Sequence, residues 1–366
     1  MKQFAVELGP RSHPVYVGSG LLSRPQVWPT PQSSRKALIC LDRRLADRQP
    51  ELLAGLGAAG WEPACELLDA SESLKNFEAL FPLYGRMLEL GLQRRSLLVA
   101  AGGGTVGDSV GFLAASYLRG IPWVSVPSTL LAQVDSGLGG KTGVNHPAGK
   151  NLIGAIWQPA AIVCDTDLLR GLPAREFVSG LGEMLKYGLI ADAEFWCWLK
   201  AQTPALLKGD PTALNEGIYR SLQIKARYVA ADEPDLSGVR AALNFGHSFG
   251  HALEQCAGYG HFRHGEAVIW GMRLAARASK EIGWLAAAAE AEIQAVLAAL
   301  ALPPLPDLDP EALLQALAHD KKREGATVQT LLLRQIGAVD SLGVELSTWR
   351  RWIGEFMASE GSHPVS

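Results

Sequence analysis

Short apolar runs alternate with helix-length segments through the first half of this chain, and this alternation constrains the fold more than any other feature. The apolar runs end in turn or polar residues and lie at positions 37–41, 97–101, 123–126 and 162–164. Amphipathic stretches such as residues 49–59 and 76–90 lie between them. Strands that alternate with helices form βαβ units, which assemble into a parallel sheet. We therefore predict a Rossmann-like α/β domain, with a small antiparallel hairpin at one edge.

The second half of the chain has a different pattern. After Pro173, strand-like runs become rare and long amphipathic or Ala/Leu-rich stretches follow one another. A length of 366 residues suits two domains. We predict an α/β nucleotide-binding domain at residues 1–173 and an all-α metal- and substrate-binding domain at residues 174–366. Because active sites favour domain junctions, we expect the active site in the cleft between them.

Composition excludes several classes of function. A formal charge of −3 indicates neither a nucleic-acid nor a membrane-surface partner. The N-terminus shows no signal-peptide pattern, and charged residues interrupt the longest apolar stretch, residues 284–302. The five cysteines are scattered without CxxC spacing, which is typical of buried thiols in a reducing compartment. We expect a cytoplasmic protein without a membrane span.

A glycine loop follows one of the predicted strands. Residues 96–108 read SLLVAAGGGTVGD and lead into a helix that we predict at residues 109–118, with Asp108 as its cap. Glycines let backbone N–H groups approach a phosphate, although a tight turn without a ligand has the same pattern. Asp42 at a strand end, with Glu72 and Lys75 before a helix, could serve the same dinucleotide or be solvated charges.

Histidines with helical spacing suggest a metal site. His247, His251 and Glu254 stand at i, i+4 and i+7 in NFGHSFGHALE, and so lie on one helix face. Two imidazoles one turn apart can share a metal or a substrate, or can be a structural pair. A third histidine, His264, and a carboxylate, for which Glu183 is the best candidate, would complete a catalytic rather than a structural zinc site.

Several cations occur near these motifs. Lys141 and Lys150 lie in the glycine-rich segment 135–151, and Lys186 follows Glu183 by three residues. Additional cations are Lys225, Arg240 and the lysines of the DKK turn at residues 320–322. Each alone suits a solvated surface position. Together with a metal site they indicate an anionic, phosphorylated substrate.

Seven motifs in this order resemble the 3-dehydroquinate synthase family. They read GGGTVGD, SYLRG, VPSTLLAQVDSGLGGKTGVNHPAGKN, GLGEMLKYG, NFGHSFGHALE, HGEA and DKK, and the match as a whole runs from about residue 42 to residue 322. The resemblance implies a lyase of the shikimate pathway. Such an enzyme converts 3-deoxy-D-arabino-heptulosonate 7-phosphate to 3-dehydroquinate through transient oxidation by NAD, β-elimination of phosphate, re-reduction, ring opening and aldol closure.

The resemblance also implies roles for individual residues. NAD contacts carry over to Asp42, Glu72, Lys75, Gly103, Gly104, Thr105, Asp108, Ser128, Thr129, Leu131, Lys141 and Lys150. The resemblance implies that Glu183, His247 and His264 bind a divalent metal, which is expected to be zinc, with cobalt as the alternative. Catalytic roles carry over to Asp135, Lys141, Asn151, Lys186 and His251, and substrate contacts to Arg119, Lys150, Lys225, Arg240, Asn244 and Lys322. Arg119 matches an arginine that reaches the neighbouring subunit's site, which implies a homodimer.

The chain departs from the family pattern at three places. Ser128-Thr129 stands where Thr-Thr is usual, and Gly171 stands where a threonine is common. The acidic segment before Arg240 is one residue longer, so Leu236 occupies the register of an acidic residue that Asp235 could replace.

Three other functions compete with this one. A valiolone, amino-dehydroquinate or deoxy-inosose synthase would share the fold and cofactor, although Asn244 and His251 favour dehydroquinate formation. An NAD-dependent polyol-phosphate dehydrogenase is more remote. An inactive NAD- or metal-binding regulatory module belongs to a different class altogether.

Overall fold

The computed structural model of the chain describes residues 1–258, 260–319 and 327–360. The chain forms two compact units. The first comprises Met1–Leu172 and Pro211–Leu236, and the second comprises Pro173–Asp210 and the described residues from Ser237 onward. The first break lies beside the predicted domain boundary. The return of residues 211–236 to the first unit differs from the prediction, which assigned all residues after 173 to the second domain.

A seven-stranded sheet forms the centre of the first unit. Its strands in chain order are β1 (Lys2–Val6), β2 (His13–Gly18), β3 (Lys36–Asp42), β4 (Glu62–Leu68), β5 (Leu97–Gly102), β6 (Trp123–Pro127) and β9 (Ala161–Asp165). The spatial order is β1-β2-β9-β6-β5-β3-β4, and all pairs are parallel except the edge hairpin of β1 with β2. The predicted parallel sheet and antiparallel edge hairpin are confirmed.

Burial explains why these strands could be recognised from the sequence. Every residue of β5, β6 and β9 is buried, as expected for parallel strands covered on both faces. The helices of the first unit are α1 (Gln49–Ala58), α2 (Phe77–Glu89), α3 (Gly104–Ser116) and α6 (Pro211–Ala231). Strands β7 (Lys141–His146) and β8 (Gly149–Ile156) form a separate antiparallel hairpin within the segment that the sequence showed as glycine-rich.

The second unit is mostly helical. Its helices are α4 (Ala174–Ala191), α5 (Ala193–Leu207), α7 (His247–Cys256), α8 (His264–Glu281), α9 (Ala287–Ala298), α10 (Pro310–His319) and α11 (Leu346–Glu360). Strands β10 (Thr327–Gln335) and β11 (Ala338–Glu345) form an antiparallel hairpin, which the all-α prediction for this part of the chain did not include. Within the described residues, no helix is both long and apolar enough to cross a bilayer.

Glycines allow α8 to lie unusually close to α4 and α7. A Cβ added to Gly265 would lie 1.9 Å from Ser179 O in α4, and one added to Gly271 would lie 1.8 Å from Gly246 O before α7. The Gly265 N–H also donates to Ser179 Oγ at 2.9 Å. Side chains at these positions would therefore separate helices that the wild-type chain holds in contact.

Gly271→Ala tests this packing. We expect the second unit to lose about 1–3 kcal/mol of unfolding free energy, because overpacking outweighs the higher helix propensity of alanine. The measurement is the urea midpoint of the transition assigned to that unit. Gly354→Ala in α11 is the matched control, since a Cβ there meets nothing within 4 Å. A Gly271→Ala protein as stable as the control would contradict close packing at this contact.

Candidate functional site

Three helices of the second unit bring one carboxylate and two imidazoles together. Glu183 lies in α4, while His247 and His264 are the first residues of α7 and α8. Glu183 Oε1 lies 3.6 Å from His247 Nε2 and 3.9 Å from His264 Nε2. The potential ligand atoms of this group all lie within 4.8 Å of one another. Two nitrogens and one oxygen at such spacing form the donor set of a catalytic divalent metal.

The buried carboxylate of this cluster suits a bound cation. Glu183 is fully buried and forms a close ion pair with Lys186 through Oε2. Within the described part of the chain, neither Glu183 oxygen receives a hydrogen bond of normal geometry. A buried carboxylate with unused acceptor capacity is costly unless it binds a cation. The residues present therefore fit a divalent metal.

His247 faces the cluster in a form that can coordinate a metal. Burial, reinforced by the charge of Lys186, holds the pKa of His247 well below its usual range, so the ring stays neutral at pH 7. Its Nδ1 lies 3.1 Å from Phe245 O, which leaves Nε2 toward Glu183. His251 completes a triangle of rings, with centroids 5.5 Å from His247 and 5.8 Å from His264.

The glycine loop carries an open helix N-terminus. Helix α3 begins at Gly104 with Gly103 as N-cap, so the predicted helix start at residue 109 and the predicted capping by Asp108 are wrong. The N-cap Gly103 has no side chain that could cap α3. A Cβ at Gly103 would lie 3.2 Å from the Thr129 methyl group. The N–H groups of the first turn, which includes Thr105, have no acceptor within the helix and fit a phosphate of a dinucleotide.

Asp108 joins a polar network instead of capping a helix. Lys75 is buried, and its Nζ lies 2.7 Å from Asp108 Oδ2 and 2.5 Å from Asn151 Oδ1. Burial raises the pKa of Asp108, and the charge of Lys75 opposes that rise. Glu72 Oε1 accepts a hydrogen bond from Asn145 at 2.7 Å. Four predicted residues therefore meet in one cluster of the first unit.

Asn145 was missed by the sequence analysis. Its backbone N–H donates to Lys75 O, its amide N–H donates to Glu72, and its Oδ1 accepts from the Asn151 N–H. Asn151 itself has a left-handed φ of +56°. The only available signal was the position of Asn145 inside the glycine-rich segment, between two predicted lysines.

Other predicted cofactor residues occupy varied environments. Asp42 ends β3 and is buried, and its carboxylate accepts hydrogen bonds from the backbone and guanidinium of Arg44. The Ser128 N–H donates to Gly102 O, and Thr129 Oγ1 accepts from the Ala132 N–H. Leu131 immediately precedes a short helical segment, Ala132–Ser136. Ser128 and Thr129 thus line the loop beside the glycines.

Two lysines of the first unit are paired with acidic residues. Lys225 is buried on α6, and its Nζ lies 2.6 Å from Asp135 Oδ1. Lys141 Nζ lies 2.5 Å from Asp235 Oδ2. Asp235 adopts a left-handed φ of +56°, and its backbone N–H donates to Asp232 O. The longer acidic segment therefore places Asp235, rather than Leu236, against a predicted substrate lysine.

The remaining predicted residues fall into three groups. Arg119 is exposed in a loop where Leu118, Arg119 and Gly120 all have positive φ. Lys150 and Asn244 are also exposed, while Arg240 is buried on the short helix Val239–Asn244. Lys322 lies outside the described residues.

The departure at Gly171 has a backbone reason. Gly171 has a φ of +80°, a conformation that a threonine would adopt only with strain.

Comparison with solved structures identifies the class. A 2-deoxy-scyllo-inosose synthase complexed with carbaglucose-6-phosphate, NAD+ and Co2+ matches at 24% identity, covering 97% of this chain and 99% of that one, with a TM-score of 0.87. A 2-epi-5-epi-valiolone synthase from Streptomyces hygroscopicus with NAD+ and Zn2+ bound matches at 28% identity, covering 97% of each chain, with a TM-score of 0.82. The fold is that of the sugar-phosphate cyclases.

Sequence comparison narrows that class to one family. The 3-dehydroquinate synthase N-terminal and C-terminal family models match residues 66–179 and 180–323. A 3-dehydroquinate synthase of Saccharophagus degradans is 46% identical over 328 residues, which are 88% of this chain and 89% of that protein. The chain belongs to the 3-dehydroquinate synthase family, as its motifs had indicated.

Removal of His264 tests the metal cluster. We expect His264→Ala to lower zinc affinity by at least about 100-fold, since removing a metal ligand lowers the affinity more than removing a residue that only orients a ligand. NAD affinity should change little. The measurements are calorimetric titrations of the metal-free protein with Zn2+ and of the same protein with NAD. His261→Ala is the control, because that exposed histidine is not part of the cluster. Equal zinc affinity in both variants would refute the ligand assignment.

Proposed function

We propose that this enzyme converts 3-deoxy-D-arabino-heptulosonate 7-phosphate to 3-dehydroquinate and phosphate as an NAD- and divalent-metal-dependent lyase. The observation that carries the proposal is the Glu183/His247/His264 group, with its fully buried carboxylate, in a chain that belongs to the 3-dehydroquinate synthase family. The cofactor assignment draws support from the NAD+, Co2+ and Zn2+ in the related cyclase structures. Zinc is the metal we favour, because a site of two nitrogens and one oxygen suits it.

Residues of the first unit would hold the cofactor and anionic groups of the substrate. The N-terminus of α3 suits the pyrophosphate of NAD. The Lys75–Asp108 ion pair holds two charged side chains in place beside the glycine loop. Lys141 and Lys225 are each paired with an acidic side chain. A phosphate or carboxylate of the substrate would replace that side chain and accept charge-assisted hydrogen bonds from the lysine. Lys150 would add a further cation.

Residues of the second unit would hold the metal and manage protons. When bound, NAD would supply hydride-transfer chemistry, and a metal held by Glu183, His247 and His264 would supply Lewis-acid chemistry that makes a bound hydroxyl more acidic. His251 lies beside both ligand histidines and is suited to accept or return a proton there. Lys186 keeps a buried positive charge against Glu183 and would stabilise negative charge on the substrate. Arg240 and Asn244 would bind the substrate.

Two retained residues favour dehydroquinate formation over the products of sister cyclases. The family resemblance of the motifs implies that valiolone-type enzymes lack the second histidine of the HxxxH pair, the position that His251 occupies here. It also implies that the position of Asn244 changes in the inosose type. We also propose a homodimer in which the exposed, left-handed Arg119 loop reaches the neighbouring subunit.

The decisive experiment follows the cofactor and the products together. Purified enzyme is incubated with the heptulosonate phosphate, a substoichiometric amount of NAD and Zn2+. We expect phosphate and dehydroquinate to exceed the NAD present, with no accumulation of absorbance at 340 nm. NADH formed in proportion to product would instead identify a dehydrogenase. A different cyclic product from another sugar phosphate would identify a sister cyclase.

Lys141→Ala tests anion binding. We expect kcat/KM to fall about 10–100-fold, mainly through KM, because hydrogen bonds to charged groups contribute about 1.5–3 kcal/mol. Steady-state kinetics with the phosphorylated substrate give both constants. Lys208→Ala is the control, since Lys208 is an exposed lysine at the C-terminus of α5. Unchanged KM in the Lys141→Ala enzyme would show that this lysine does not hold the substrate.

A further inference from the structure

Glu254 contacts His264 through the ring nitrogen that does not face Glu183. Glu254 Oε2 lies 3.3 Å from His264 Nδ1, whereas His264 Nε2 lies 3.9 Å from Glu183 Oε1. A hydrogen bond from Nδ1–H to this carboxylate leaves Nε2 without a proton, which is the form that binds a metal. We propose that Glu254 is a positioning residue that fixes the orientation and tautomer of His264. The inference rests on the metal site proposed above.

The two ligand histidines are held by acceptors of different kinds. His247 Nδ1 is 3.1 Å from the neutral carbonyl of Phe245, whereas His264 Nδ1 faces an acidic side chain. A carboxylate partner both orients an imidazole and raises its basicity. His264 is also the less protected of the two rings, with 33% of its side chain exposed against 12% for His247. It therefore depends more on a partner that limits its rotation.

The charge of Glu254 has a second consequence. His247 and His264 are the first residues of α7 and α8, so the positive ends of two helix dipoles lie at the metal site. Lys186 adds another positive charge beside Glu183. All three features disfavour a divalent cation. Glu183 supplies one negative charge to the group, and Glu254, which contacts His264 rather than Glu183, supplies a second.

A different use of Glu254 can be distinguished from this one. His251, Glu254 and His264 also lie close enough together to hold a metal ion. If such an ion bound His264 Nδ1, which lies 3.3 Å from Glu254 Oε2, that nitrogen could not also donate a hydrogen bond to Glu254. The exposed fraction favours the positioning role, because 23% of the Glu254 side chain is accessible, whereas Glu183 is fully buried.

The experiment measures Co2+ binding to the metal-free enzyme by visible absorption, without NAD or substrate. We expect Glu254→Gln to weaken Co2+ binding about tenfold, because the amide keeps an acceptor but loses the charge. Glu254→Ala should weaken it further, to about 100-fold, and change the absorption spectrum because His264 is no longer oriented. Gln255→Ala, an exposed neighbour on α7, should bind as wild type does.

Several outcomes would overturn the proposal. It fails if Glu254→Ala binds Co2+ with wild-type affinity and spectrum. It also fails if the wild type binds two Co2+ ions and Glu254→Ala loses only the weaker one, since Glu254 would then be a ligand. A lower melting temperature of metal-free Glu254→Ala with an unchanged spectrum would indicate a structural role only. Absence of Co2+ binding by the wild type would refute the metal site itself.

Discussion

The close approach of α8 to α4 and α7 is the constraint on which the metal cluster depends. Glycines at the contacts, Gly265 and Gly271, allow backbone atoms to meet where any Cβ would overlap a carbonyl oxygen. Each glycine inside a helix costs about 1 kcal/mol relative to alanine. The consequence is that donors from three helices lie within 4.8 Å of one another. Rigid helices rather than loops therefore set the geometry of the site, which is the arrangement that a precise metal centre requires.

Buried charge is the second organising feature, and it is distributed over both units. Lys75 with Asp108 and Lys225 with Asp135 are paired in the first unit, and Lys186 with Glu183 is paired in the second. A buried ion pair is weak evidence of stabilisation, because desolvation offsets most of the attraction. Apolar residues of similar size would stabilise these positions at least as well. The charges are better explained by the charged ligands proposed above, namely a dinucleotide, a divalent metal and a phosphorylated acid.

Much of the fold could be predicted because buried parallel strands leave continuous apolar runs in the sequence. Helix α3 was predicted five residues too late, since glycines have low helix propensity and a run of them resembles a loop. The β7–β8 hairpin was missed for the same reason. The return of α6 to the first unit depends on tertiary packing, which local periodicity does not encode. The β10–β11 hairpin was not predicted either, because it follows a stretch of sequence with a largely helical pattern.

The metal cluster shows where sequence periodicity stops being informative. Spacing places His247, His251 and Glu254 on one face of α7. These three residues nevertheless divide between two candidate metal-binding groups, which share His264. His247 joins Glu183 and His264, whereas Glu254 lies toward the other nitrogen of His264 and forms the second group with His251 and His264. Periodicity along one helix cannot decide which of its residues meets a given partner helix. With the tautomers inferred above, the contact at each Nδ1 decides it, because a nitrogen that donates a proton to a carbonyl or carboxylate cannot also bind a metal.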